Sequence, residues 1–156
     1  MQLMPATAKW AAKRVGIDNY NNSMIHELDT NIALGTYYLR YTLDLFNGQE
    51  VMATAAYNAG PSRAKKWAAV TPLEGAIYAE TIPFSETRSY VQKVMANAHL
   101  YAYQLGLKSI SLKQRLGVIP GSLGQSLPNL EDNQVVEPTS TTSTIEPIPE
   151  STKPTE

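Results

Sequence analysis

The sequence predicts an all-α fold, and three observations carry that prediction. No segment shows convincing period-two alternation of apolar and polar residues. Two long segments place apolar residues at helical spacing, Ile32, Gly35, Leu39, Leu43 and Phe46 in one and Val91, Val94, Ala98, Tyr101 and Leu105 in the other. Apart from Gly35, glycines and prolines fall between the periodic segments rather than within them, as helix punctuation does.

The elements follow in order. Pro5 suits the first turn of a helix that runs through Trp10 and Val15 and stops at Gly16. Met1, Leu3 and Met4 before it read as the inside of a fold, unlike the polar, loosely held residues usual at an N-terminus. Asp18, Asn19, Asn21, Asn22 and Ser23 have loop composition. Asp29 or Thr30 can cap the first long helix, which Gly48 closes, with Tyr37, Tyr38 and Tyr41 beside its stripe as amphipathic rim residues. A second helix spans Val51 to Asn58, ends at Gly60 and hands over at Pro61 to a shorter one reaching Ala69. Thr71-Pro72 breaks the pattern, and Leu73 to Ile82 gives one or two turns before Pro83. Ser85 is the expected cap of the second long helix, which Gly106 ends.

Composition divides the chain in two. Both Trp, both Phe and all nine Tyr lie at or before Tyr103, whereas six of the ten prolines lie at or after Pro120. Through Gly117 there are 12 Lys+Arg against 8 Asp+Glu, a net of +4; the remainder has 1 against 6, a net of −5. One domain over 1–117 and a disordered tail over 118–156, rich in Ser, Thr and Pro, are therefore expected. The basic residues form no cluster of the kind that binds nucleic acid. With no cysteine there is neither disulfide framework nor thiolate site, and His26 and His99 stand apart from any partner at metal-ligand spacing, so no metal or cofactor is expected. No apolar stretch is long enough to form a transmembrane segment, and no signal peptide is present in this sequence.

Ala56-Tyr57-Asn58-Ala59-Gly60-Pro61 is polar and aromatic where an apolar helix should continue, which places a phenol and a carboxamide at a junction between helices. Alone, it reads rather as a buried tyrosine and an asparagine serving the free carbonyls of a helix end. Two further motifs stand in fixed order around it: Met1-Gln2-Leu3-Met4-Pro5 with Thr7-Ala8 before, and Glu80-Thr81-Ile82-Pro83-Phe84 with Glu86-Thr87-Arg88 and Tyr90-Val91 after. Together, over roughly Met1 to Gly106, they resemble the catalytic domain of the soluble lytic transglycosylases, lysozyme-like family 23 enzymes that cleave peptidoglycan.

The resemblance implies a lysozyme-like helical domain acting on peptidoglycan glycan strands in the periplasm or cell envelope. One glutamic acid protonates the leaving oxygen between N-acetylmuramic acid and N-acetylglucosamine. It then acts as base while the sugar's own 6-hydroxyl attacks, giving a 1,6-anhydro product. That chemistry needs a carboxyl whose pKa is raised by an apolar cleft, and one carboxyl suffices because the nucleophile belongs to the substrate. On this resemblance Gln2 bonds the sugar from the cleft wall and Met1 lines the pocket. Tyr57 directs its hydroxyl to the catalytic carboxyl, as the assisting catalytic residue, and Asn58 engages an N-acetyl group or braces the loop. Glu80 lines the far side and meets the stem peptide, Tyr90 supports the site from below, and Arg88 pairs with a carboxylate.

The family's acid sits in a Glu-Ser motif upstream of a Gly-Leu-Met-Gln turn, and this sequence begins at the Met of that turn. Glu27 and Glu50 read as solvent charges at a loop and a helix end, and Glu80 already has another place. The expectation is thus the C-terminal part of a longer enzyme, lacking the first helix and the acid, inactive alone, with unpaired apolar surface near Met1, Leu3 and Met4. Three other readings stay open: a non-catalytic peptidoglycan-binding module, a hydrolase like the goose-type lysozymes, and a purely structural helical bundle.

Overall fold

Alanine decides how this chain packs: where several fall together a helix can be buried on every side, and helix α3 (Glu50–Ala59) is built that way. Val51 through Ala56 are all buried in it, and the small side chains of Ala53, Ala55, Ala56 and Ala59 let neighbouring helices approach closely. The structure, a computed structural model, describes residues 1–108 and 110–121.

Around α3 the chain places α1 (Pro5–Arg14), a 3₁₀ turn (Asn22–His26), α2 (Leu28–Leu45), α4 (Pro61–Lys66), α5 (Gly75–Thr81), α6 (Ser85–Gln104) and α7 (Leu112–Leu116). Helices α2, α4, α6 and α7 all pack against α3. The described residues also hold two strands of two residues each, β1 (Leu73–Glu74) and β2 (Val118–Ile119), paired antiparallel with Leu73 opposite Ile119. The all-α expectation holds, with this small pairing as its one departure; two residues cannot show an alternating pattern.

The main core gathers Val51, Met52, Ala55 and Ala56 of α3 with Leu45, Phe46, Ala64, Tyr78, Ala79, Ile82, Val91, Met95 and Ile119. Tyr78 is fully buried, and its hydroxyl donates to the carbonyl of Ala64 at 2.9 Å, so its one polar atom is satisfied. A second, smaller core joins α1 to α2 through Ala8, Ala11, Ala12 and Leu34, with Leu3, Trp10, Ile17, Tyr20, Ile25 and Tyr37 around it.

Several sequence expectations are corrected. The buried side of α2 is Leu34, Gly35, Tyr38, Thr42 and Leu45, whereas Ile32 and Leu39 are exposed. Thr42 can be buried because its hydroxyl donates to the carbonyl of Leu39 at 2.8 Å and so needs no water. The cap of α2 is Glu27, not Asp29 or Thr30, and Thr30 donates its hydroxyl to the Glu27 carboxylate at 3.2 Å. Ser85 is the first residue of α6 rather than its cap, which is Phe84. Helix α4 ends at Lys66, short of Ala69. Tyr101 and Leu105, expected on the buried stripe of α6, are 56% and 73% exposed. Met1 and Met4 are exposed as expected, whereas Leu3 joins the smaller core.

Glu50, expected as a solvent charge, accepts from Nη1 of Arg115 at 2.9 Å and ties α7 to the start of α3. The packed body extends past the expected boundary at Gly117, because Ile119 is an apolar side chain that the main core buries and β1 holds in register. The rest of the expected tail, 122–156, lies outside the described residues.

Gly75 is where this closing strand meets the body. Its backbone nitrogen donates to the carbonyl of Gly117 at 2.8 Å, and a Cβ there would overlap the backbone carbonyl of Leu116. Gly75→Ala is therefore expected to separate the β1–β2 pair and destabilise the chain by about 1–3 kcal/mol, the usual range for overpacking. Urea unfolding followed by circular dichroism measures this; an unchanged midpoint would show that the backbone gives way freely.

Candidate functional site

Helix α3 is buried along its middle and emerges only at its last turn, and there the sequence places Tyr57 and Asn58, both half-buried. Gly60 stops the helix with φ 91° and ψ 148°, a conformation that glycine alone takes without strain, and Pro61 starts α4 in the next residue. The expected helix end at Gly60 and hand-over at Pro61 are observed, with α3 running one residue past Asn58 to Ala59.

Tyr57 is the most informative side chain. Its ring lies 5.4 Å from that of Tyr38 in α2, yet its hydroxyl is buried and has no hydrogen-bond partner among the described residues. A buried polar atom without a partner costs stability, about 1–3 kcal/mol by general experience, and calls for an explanation. Burial, with the neighbouring Tyr90 adding to it, pushes the Tyr57 phenol up to about 12. At neutral pH it is thus a neutral donor, suited to a carboxylate or a carbonyl oxygen. Tyr90 in α6 is half-buried and also raised by burial.

An aromatic cluster holds Tyr57 in place. Trp10 of α1 lies 4.8 Å from Tyr41, 6.0 Å from Tyr37 and 6.1 Å from Tyr38, with the Arg14 guanidinium 4.1 Å above its ring. The distances are those of ordinary aromatic pairs. The three tyrosines of α2 are thus packing residues, as expected, although Tyr38 is only 4% exposed and lies in the interior rather than at a rim. Burial lifts the Tyr38 phenol to about 12 as well.

The N-terminal motif reaches the same turn of α2. Met1 lies over Gly35, where a Cβ would come within 2.8 Å of the Met1 Cβ, and Gly35 is one turn from Tyr38. Asn31 clamps this segment: its Oδ1 accepts from the Met1 nitrogen, and its Nδ2 donates to the carbonyls of Met1 at 2.7 Å and Ile25 at 2.9 Å. Gln2 is exposed beside the clamp. Met1 thus packs on the same helix as Tyr38, whose ring meets that of Tyr57, while Tyr90 acts on Tyr57 from α6.

Glu80 stands apart from them. It is exposed near the end of α5, and its carboxylate accepts from Nε2 of Gln92 at 2.9 Å. Arg88 donates to the backbone carbonyl of Glu80 at 3.2 Å, so its role is structural as expected, but its partner is a carbonyl rather than a carboxylate. Sequence reasoning missed Asn31 and Gln92, single amides whose partners are 30 and 12 residues away. Among the described residues no group of His, Cys, Asp and Glu could hold a metal ion, and no helix is long and apolar enough to cross a membrane.

The unpartnered hydroxyl makes two measurements informative. Tyr57→Phe removes a polar atom that bonds nothing, so stability should stay within about 1 kcal/mol of the parent or rise; a larger loss would reveal a hidden partner. Tyr57 and Tyr38 keep their protons to about 12, against 10.0 in the unfolded chain. The unfolded state therefore sheds protons first, and stability should fall as pH rises from 10.0 toward 12. Chemical unfolding with tyrosinate absorbance should show that fall, shallower in Tyr57→Phe.

Comparison with known proteins supplies the context. Residues 1–76 match the family model of the transglycosylase SLT domain, and residues 81–109 that of the soluble lytic transglycosylase helical domain. The soluble lytic murein transglycosylase of Salmonella typhimurium is 40% identical over 111 residues and that of Escherichia coli 39% over 111; each alignment covers 69% of this chain and 17% of the relative. Among solved structures, an inactive Glu-to-Gln mutant of the Pseudomonas aeruginosa lytic transglycosylase Slt has a TM-score of 0.65 and 44% identity over 70% of this chain and 18% of its own. The 70 kDa Escherichia coli soluble lytic transglycosylase has a TM-score of 0.62 and 33% identity over 83% and 20%, and its complex with bulgecin A a TM-score of 0.63 and 30% identity over the same shares. The chain thus spans about a sixth of the length of the curated relatives it matches. Two adjoining family models, relatives near 40% identity and the shared helical fold agree, and the chain belongs to the soluble lytic transglycosylase family through its SLT domain.

Proposed function

We propose that this chain forms the glycan-binding part of a peptidoglycan lytic transglycosylase, cleaving between N-acetylmuramic acid and N-acetylglucosamine with formation of a 1,6-anhydromuramic end. The observation that carries this reading is the buried, unpartnered Tyr57 hydroxyl at the end of α3, within the Ala56-Tyr57-Asn58-Ala59-Gly60-Pro61 motif. The names of the relatives, all lytic murein transglycosylases, support it.

In this reading Tyr57 donates its hydroxyl hydrogen bond to the carboxyl that performs the chemistry or to the sugar beside it. Asn58 engages an N-acetyl group or braces the turn, Met1 and Gln2 form one wall, Glu80 borders the far side, and Tyr90 supports Tyr57 from α6. The carboxyl passes its proton to the glycosidic oxygen as the bond to the muramic anomeric carbon breaks. It then takes the proton of the 6-hydroxyl as that oxygen bonds the same carbon, so no water is consumed.

The exposed or paired state of the body's glutamates supports placing that carboxyl elsewhere. Glu27, Glu74, Glu80 and Glu86 are exposed, and Glu50 is paired with Arg115. A Glu-to-Gln mutant of one relative is described as inactive, which supports a glutamate as the acid. We therefore assign the acid to a glutamate outside this sequence, place the work of the assembled enzyme in the periplasm or cell envelope, and keep 1–117 with its extension to Gly121 as the domain.

The test is to incubate purified peptidoglycan with this chain and with a form extended upstream through the nearest in-frame Glu-Ser motif, then identify released sugars by mass. Anhydro-muropeptides are expected from the extended form alone, and Tyr57→Phe in that form should lower their rate by roughly tenfold or more, the weight of one charge-assisted hydrogen bond. Release by the short chain would overturn the assignment of the acid. Hydrated ends from the extended form would make it a hydrolase, and glycan binding without release from either form would make it a binding module.

A further inference from the structure

Helix α4 ends in a concentration of positive charge. Arg63, Lys65 and Lys66 all stand in its last turn, where the carbonyl end of a helix favours cations. None of them is ion-paired with a carboxylate among the described residues, whereas Arg40 is held by Asp44 and Arg115 by Glu50. Arg63 is anchored through Nη1, which donates to the carbonyl of Ala59 at 3.2 Å, one residue beyond Asn58. Lys65 is half-buried and Lys66 exposed. Charge gathered in this way and left unneutralised raises the local potential and attracts an anionic segment.

The chain brings such a segment to the same place. Gly121 is buried against the backbone of Val70, where a Cβ would come within 2.1 Å of the Val70 carbonyl oxygen. Val70 follows Lys66 by four residues, a span of at most about 14 Å. From Gly121 the sequence continues through Leu123, Leu127 and Leu130 to Glu131, Asp132 and Glu137, and no cation appears before Lys153. Residues 122–156 carry 1 Lys+Arg against 6 Asp+Glu, a net of −5 that is opposite in sign to the body. Glu131 follows Gly121 by ten residues, a reach of up to about 36 Å, and α4 is only about 9 Å long. Tethering at this range gives the carboxylates an effective concentration on the order of millimolar, so weak pairs suffice. Val70, 61% exposed at the point of exit, offers an apolar surface to the intervening leucines. Helix α1 carries a comparable set of cations, Lys9, Lys13 and Arg14, but it packs against α2 and the 3₁₀ turn, and the chain leaves beside α4.

We propose that the acidic segment from Glu131 to Glu137 docks on Arg63, Lys65 and Lys66 and, lying beside the turn that carries Tyr57 and Asn58, screens the candidate site until a glycan displaces it. The screening rests on the glycan-binding reading above; the docking does not.

The experiment uses the full chain. Because there is no native cysteine, a nitroxide attached at Asn133→Cys is unique, and its broadening of backbone amide signals is read by NMR. The amides of α4 should lose most of their signal while those of α1 keep theirs. That loss should shrink roughly threefold or more at about 1 M salt, where charges are screened beyond about 3 Å. It should shrink as much in a chain carrying Glu131→Gln, Asp132→Asn and Glu137→Gln, and in one carrying Lys65→Gln and Lys66→Gln. Should the lysine variant fail to fold, the acidic-segment variant decides, since it leaves the packed body untouched. Undiminished α4 signals, equal losses over α1 and α4, or a loss that survives both salt and neutralisation overturn the docking. Calorimetric titration with a soluble glycan fragment then tests the screening, and the chain with the neutralised segment should bind several-fold more tightly than the parent. Equal affinities in the presence of docking overturn the screening alone. No glycan binding by either chain overturns the glycan-binding reading and the screening with it, while the docking stands or falls by the spectrum.

Discussion

Burial of α3 on all sides constrains everything else in the molecule. A helix enclosed by four others can carry only small or apolar side chains over its middle, and Val51 through Ala56 obey that rule. Polar function can then appear only where the helix leaves the core. Tyr57 and Asn58 occupy that last turn, and Gly60 with Pro61 redirects the chain before the helix could carry them into solvent. The location of the candidate site is thus a consequence of packing, settled before any question of chemistry arises.

Aromatic stacking does for the site what a disulfide does in other small domains. The chain has no cysteine, and Trp10, Tyr38, Tyr41 and Tyr57 link α1, α2 and α3 through a run of ring contacts. Rings have few rotatable bonds, so each contact fixes position at small entropic cost. The hydroxyl of Tyr57 is held still by neighbours that do not bond it, which is the arrangement a group needs if its partner is a ligand or another part of a larger protein.

What could be read from the sequence follows from the range of each interaction. The end of α3 was readable because Gly60 and Pro61 act on their own backbone, and the three motifs because their order along the chain is itself the signal. The buried side of α2 was not, since Ile32 and Leu39 share helical spacing with Leu34 and Tyr38, and only the neighbours decide which set faces inward. Thr42 carries no local sign of its burial, because its polarity is cancelled by its own helix. The pairing of β1 with β2, the Glu50 to Arg115 contact and the Asn31 clamp join residues far apart in sequence, and nothing local announces them.

The two cores share α2 but little else, and this affects how the molecule breathes. The core on the α1 side is made largely of alanines and so gains far less from excluding water than the one around α3. Local opening should therefore begin there, with backbone amides of α1 exchanging with solvent sooner than those of α3. Met1 and Gln2 ride on the more labile unit, and Tyr57 and Asn58 on the sturdier one. The N-terminal motif is thus anchored lightly and the end of α3 deeply, so the first can shift without disturbing the second.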